Sequence, residues 1–136
     1  MREYGAGGAM QEAASGFPDA VYCEERLNYY ISELSATDSE DTDKERCGKA
    51  GALAFCDCMV RLEDTNLLHR GGPDGLYFAR SKARQISEMP DYENRIVELR
   101  EFDEEMISRN LSPGGSADML ALAFYINRLR KITANV

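Results

Sequence analysis

Arg61–Gly75 reads RLEDTNLLHRGGPDG. It is fed by Cys47–Leu62, where Ala50, Ala52, Leu53, Ala54, Phe55, Cys56, Cys58, Met59, Val60 and Leu62 leave almost no polar face. A helix that is apolar nearly all round is buried nearly all round. Leu67–Leu68 carries the apolar pattern on, Gly71–Gly72 ends it as a C-cap does, and Pro73–Asp74 restarts a helix that runs to about Ser87. The segment therefore predicts a helical protein with a polar, glycine-bounded break at its centre.

The same reading extends in both directions. Met1–Gly16 is rich in Gly and Ala and predicts an irregular entry. Phe17-Pro18-Asp19 restarts the chain, and an apolar stripe at Ala20, Val21, Cys23, Leu27, Tyr30, Ile31 and Leu34 predicts a helix, with Glu24, Glu25, Arg26 and Glu33 outside it. Ser35–Arg46 has no apolar period and reads as a solvated, acidic loop. After Met89-Pro90, Asp91 caps a helix to about Arg109 with Ile96, Leu99, Phe102, Met106 and Ile107 inward. Ser112-Pro113 opens the last helix, whose Met119–Ile126 block predicts burial. No segment alternates with period two. The expected fold is one all-α domain over residues 1–136, a compact bundle of five or six helices with two buried, nearly all-apolar ones.

Composition excludes several classes. A net charge of −8 opposes general affinity for nucleic acid or an anionic membrane. No apolar run is long enough to span a bilayer, and no apolar leader opens the chain, so a cytoplasmic protein is expected. Cys23, Cys47, Cys56 and Cys58 lack the spacing of a disulfide framework and are expected to be reduced. Cys56-x-Cys58 with His69 is a poor zinc site, because both cysteines lie inside an apolar helix pattern.

Two stretches carry candidate chemistry. In the first, Glu63 and Asp64 are placed by the pattern at the C-terminal end of a buried helix, where the dipole disfavours them by up to about 1 kcal/mol each. Such carboxylates need a partner, either Arg61, Arg70 or a divalent cation. His69 is the only histidine and reads either as a structural residue or as a functional one. Gly71 and Gly72 either stop a helix or let a ligand approach the backbone. In the second stretch, Asn110–Asp118 (NLSPGGSAD), Gly114 and Gly115 occupy the first turn of an apolar helix. They admit two readings: a phosphate approaches the free N–H groups there, or the Ser112 hydroxyl caps those groups and the glycines allow tight packing. The two stretches are expected to meet as halves of one site.

The segments EYGAGGAMQEAASGFP, LEDTNLLHRGGPDGL and RNLSPGGSADMLA, in this order, resemble the triphosphoribosyl-dephospho-coenzyme A synthase family, specifically its C-terminal half. The acidic loop is the least family-like part. The resemblance implies an all-helical fold and transfer of the triphosphoribosyl group from ATP to 3′-dephospho-coenzyme A with release of adenine. The product is the precursor of the prosthetic group of citrate lyase or malonate decarboxylase acyl carrier protein. It implies triphosphate binding by the Gly114, Gly115 and Ser116 amides assisted by Arg70 or Arg109, with Ser112, Gly71 and Gly72 at the same site. Asp64 and Asp118 are then candidates for base or Mg²⁺ ligand, and Asn66 and His69 for orienting contacts. It also implies a missing N-terminal half, supplied by a partner chain or compensated by a second copy. The alternative is a non-catalytic nucleotide- or coenzyme-binding module.

Overall fold

The structure, a computed structural model, describes residues 18–37 and 40–134. The expected irregular entry over Met1–Gly16, and the first resemblance segment up to Phe17, lie outside the described residues. Five helices follow one another: α1 Pro18–Ser35, α2 Asp43–Arg61, α3 Thr65–Ser87, α4 Tyr92–Ser108 and α5 Gly114–Ala134. No strand occurs among the described residues, and the all-α expectation holds.

Helix α2 is the centre and touches all four others. Ala50, Gly51, Leu53, Ala54, Cys56, Asp57, Cys58 and Met59 are buried along it, as its apolar sequence requires. It begins earlier than expected. Thr42 and Glu45 form a reciprocal capping box, which turns Asp43–Arg46 from loop into first turn. On one side α2 packs with α3 and α4 around Met59, Leu67, Ile86, Phe102 and Met106; on the other it packs with α1 around Leu27, Tyr30, Leu53 and Ala54.

Several expectations are corrected. Glu24, placed outside the α1 stripe, is buried at 2% exposure and paired with Arg130 at 2.8 Å. The long arginine of α5 reaches across and supplies the partner that a buried carboxylate needs. Ile107 points outward at 68% exposure. The Met119–Ile126 block is not enclosed: Ala123 is its only buried residue and Tyr125 is 59% exposed. Cys23 and Cys58 are joined as a disulfide, against the expectation of reduced thiols. Their separation of 35 residues shows no pattern along the chain, and the pairing arises because α1 lies along α2.

The break after α2 departs most from expectation. Leu62 leaves the helix with extended dihedrals, and Asp64 is the N-cap of α3, not a residue near the end of α2. Its carboxylate therefore faces the favourable end of a helix dipole. Helix α3 is itself two helices joined at Gly72, whose φ of 65° and ψ of −170° only glycine adopts readily. The predicted stop at Gly71–Gly72 and restart at Pro73 are both present.

Candidate functional site

The site is built on the start of α3 and the start of α5. Asp64 is 1% exposed, and both its oxygens are occupied. Oδ1 accepts from the amides of Asn66 and Leu67 on α3 (3.0 and 3.1 Å) and from Gly115 on α5 (3.2 Å). Oδ2 accepts from the Ser116 amide (2.7 Å) and hydroxyl (2.8 Å). One carboxylate thus caps two helices and binds the two stretches together. Asn66 adds a second tie through its Nδ2 to the Ser112 carbonyl at 3.0 Å, and Arg70 a third to Asn110 Oδ1 at 3.2 Å. Asn110 turns the chain with a φ of 56°.

This geometry corrects two local readings. Asp64 makes no ion pair with Arg70, whose guanidinium goes to Asn110. The Ser112 hydroxyl does not cap α5; Asp64 does so from the other stretch. The glycines answer to that approach. A Cβ on Gly115 would stand 3.1 Å from Asp64 Oδ1, and one on Gly114 would stand 2.7 Å from Asn66 Nδ2. A Cβ on Gly71 would collide with Leu111, whereas Gly72 is required by its backbone and has open space around it. Asp64 supplied a signal that sequence reasoning misassigned. Asp-Thr-Asn ahead of Leu67–Leu68 is also a helix-start pattern.

Around this joint, Arg70, His69, Asp118 and Glu63 are exposed. Asn66, Gly71, Gly72, Ser112 and Gly114 are half-buried. Arg109 is exposed, lies 3.9 Å over the Phe78 ring and pairs with Glu105 at 3.1 Å, and it makes no hydrogen bond to either stretch. The residues present do not fit a resident Mg²⁺ site. The Asp64 oxygens accept from five N–H and O–H donors, and no group of three or more His, Cys, Asp or Glu is placed to hold a metal among the described residues. No described helix is long and apolar enough to cross a membrane.

The fold and joint define an all-helical domain with a polar patch built on two fused helix starts. The chain belongs to the ATP:dephospho-CoA triphosphoribosyl transferase family, whose profile matches residues 1–136. It is 37% identical over 128 residues to the 2-(5''-triphosphoribosyl)-3'-dephosphocoenzyme-A synthase of Haemophilus ducreyi, covering 91% of this chain and 35% of that protein. It is 33% identical over 132 residues to a probable synthase of the same name from Albidiferax ferrireducens, covering 96% of this chain and 41% of that protein. Identity to the Escherichia fergusonii synthase is 34% over 138 residues, covering 94% and 40%. The chain thus spans 35–41% of the length of these curated relatives. No solved structure matches it.

Proposed function

We propose that this chain forms part of the site that transfers the triphosphoribosyl group of ATP to 3′-dephospho-coenzyme A. The 2′-hydroxyl of the acceptor attacks the ribose C1 of ATP, the bond from C1 to the adenine nitrogen breaks, the hydroxyl proton passes to a base, and adenine leaves. The observation that carries this reading is the family match over the whole chain together with the fastening of Arg61–Gly75 to Asn110–Asp118 through Asp64. The product would serve as precursor to the prosthetic group of citrate lyase or malonate decarboxylase acyl carrier protein, in a cytoplasmic setting.

The exposed groups carry the contacts in this reading. Arg70, held by Asn110, supplies charge to the triphosphate, with the first-turn backbone of α5 at Gly114 beside it. His69 and Asp118 are the groups free to accept a proton. Asp64 holds the two helix starts in register and acts through them, as do Asn66 and Ser112. Any Mg²⁺ arrives with the triphosphate. The chain matches about two fifths of its relatives, and in this reading the acceptor is held with the help of the remaining family segment, on a partner chain or otherwise supplied, or of a second copy.

The test is adenine release from ATP and 3′-dephospho-coenzyme A, with the chain alone and with the remaining segment of a relative added, alongside calorimetric titration of ATP. We expect ATP binding that falls at least about tenfold in Arg70→Ala, and release only on complementation. A folded chain that neither binds ATP nor supports release in either form would overturn the proposal. ATP binding without release under any complementation would favour the non-catalytic module.

A further inference from the structure

Away from the Asp64 joint, four helices converge on a cavity of about 210 Å³ lined by Tyr22, Arg26, Tyr29, Tyr30, Asp57, Val60, Ser87, Tyr92 and Arg95. At its floor is the Tyr30 phenol, 1% exposed. Its oxygen donates to Asp57 Oδ2 at 2.7 Å and accepts from two guanidiniums, Arg26 Nη2 at 3.3 Å and Arg95 Nη1 at 3.2 Å. Two like charges are thus brought to one point. Repulsion would part them unless something fixes each, and each is fixed. Arg26 lies 4.5 Å over the Tyr29 ring and donates Nε to Asp57 at 2.8 Å. Arg95 lies 5.1 Å over the Tyr92 ring and donates Nε to the Met89 carbonyl at 2.6 Å.

Asp57 answers only one of the two charges. Arg95 has no carboxylate within ion-pair distance among the described residues. The wall therefore carries one net positive charge in a chain of net −8. Glu33 stands behind the wall, accepting from the Tyr92 phenol at 2.8 Å, and does not line the cavity. Arg26 Nη1 and Arg95 Nη2 make no hydrogen bond among the described residues, so each fork keeps a donor for a ligand. Paired guanidiniums with spare donors match the oxygens of a phosphoryl group. The cavity is larger than a phosphate alone requires, and Tyr22, Tyr29 and Val60 offer apolar surface for what the phosphate is attached to.

We propose that the Arg26–Arg95 pair on Tyr30 is a binding site for a phosphate monoester carrying a flat or apolar body. It shares no residue with the Asp64 joint and does not rest on the transferase reading. Neither arginine is near the other in sequence, nor near a glycine-rich motif, so no second basic site is visible in the chain until α1, α2 and α4 are packed.

The experiment is calorimetric titration with phenyl phosphate, inorganic phosphate and phenol on the chain, on Arg95→Gln and on Ser87→Phe. Ser87 lies on the wall outside the arginine network, and the added ring fills the cavity from there. We expect phenyl phosphate to bind about tenfold more tightly than inorganic phosphate, phenol not to bind, and both substitutions to weaken phenyl phosphate at least about tenfold. Circular dichroism verifies the fold, and if Arg95→Gln does not fold, Ser87→Phe decides alone. Arg70→Ala should leave phenyl phosphate binding unchanged. No binding at millimolar phenyl phosphate, binding indifferent to the decisive substitutions, equal binding of phenol, or a loss that follows Arg70 in place of Arg95 and Ser87 would each overturn the proposal. Failure of ATP to bind at the Asp64 joint would leave it standing.

Discussion

Asp64 Oδ2 takes both the amide and the hydroxyl of Ser116, at 2.7 and 2.8 Å, across 52 residues of sequence. The other oxygen of the same carboxylate caps α3. Asp64→Ala removes two caps and strands buried donors, and should cost about 3 kcal/mol or more. Ser116→Ala should cost about 1 kcal/mol. Asp64→Asn should fall between them, since an amide NH₂ turned toward either helix start opposes N–H donors. Urea denaturation measures all three, and equal losses for Asp64→Ala and Ser116→Ala would show that the double cap is not what joins the stretches.

Gly115→Ala tests the close approach. Alanine is the better helix former by up to about 1 kcal/mol. The added Cβ would lie 3.1 to 3.3 Å from the Asp64 carboxylate, which five hydrogen bonds prevent from yielding. The expected sign is therefore destabilising, by about 1–2 kcal/mol. Gly72→Ala should lose about 1–3 kcal/mol from backbone strain alone, because nothing lies within 4 Å of its Cβ. A Gly115→Ala variant as stable as the parent would mean that Asp64 moves freely.

The legible part of the fold was the part set by local chemistry. Apolar periodicity along α1 and α2, Asp91 as a cap, and the break at Gly72–Pro73 all lie in contiguous residues. Partners drawn from distant helices could not be read. The sequence pattern puts Asp64 at the wrong end of a dipole because the continuing apolar run hides the non-helical break at Leu62 and Glu63. Glu24 found Arg130, Cys23 found Cys58, and Arg26 with Arg95 found Tyr30 only once the helices were packed. The glycines near α5 stood out in the sequence, but the Asp64 carboxylate and Asn66 side chain that lie against them come from the other stretch.

The thiols offer a direct count. Burial, with the nearby Asp57 charge, pushes the Cys56 thiol up to about 12. Its Sγ donates to the Ala83 carbonyl at 3.2 Å. Under native, non-reducing conditions near neutral pH, iodoacetamide should label Cys47 and leave Cys56 untouched, since the thiolate is the reactive form. Unfolding without reductant should add Cys56 only, because Cys23 and Cys58 are bonded. Mass spectrometry reads both steps, and four labelled cysteines without reductant would contradict the disulfide.

The Tyr30 phenol sets an alkaline limit. Burial and the hydrogen bond to Asp57 push it up to about 12 from an ordinary 10.0. A group that holds its proton more tightly when folded contributes stability fully below the ordinary value, and that contribution is lost as pH rises through the folded value. Stability should therefore fall between about pH 10 and 12. Tyr30→Phe should be less stable at neutral pH, having lost three hydrogen bonds, but should show a shallower fall over the alkaline range. Urea midpoints against pH measure this, and parallel curves for the two proteins would assign the loss to other groups.

The outer face of α5 gives the last prediction. Tyr125, Leu129 and Ile132 follow one another at spacings of four and three, which places them on one side of the helix. They are 59%, 42% and 55% exposed, while Ala123 on the packed side is fully buried. The near-continuous apolar sequence of α5 is thus only half used by the core, so its substitutions should divide sharply. Ala123→Asp places an unpaired charge among Cys23, Cys58 and Met119 and should cost more than about 2 kcal/mol. The pair Leu129→Glu and Ile132→Glu should change the stability of an isolated monomer by no more than about 0.5 kcal/mol. Urea denaturation, repeated over a range of protein concentrations and accompanied by sedimentation, separates the cases. A large, concentration-dependent loss in the double variant, with a lower mass in solution, would show that the stripe is covered by a second copy. A large loss independent of concentration would show instead that this face of α5 is packed within the single chain.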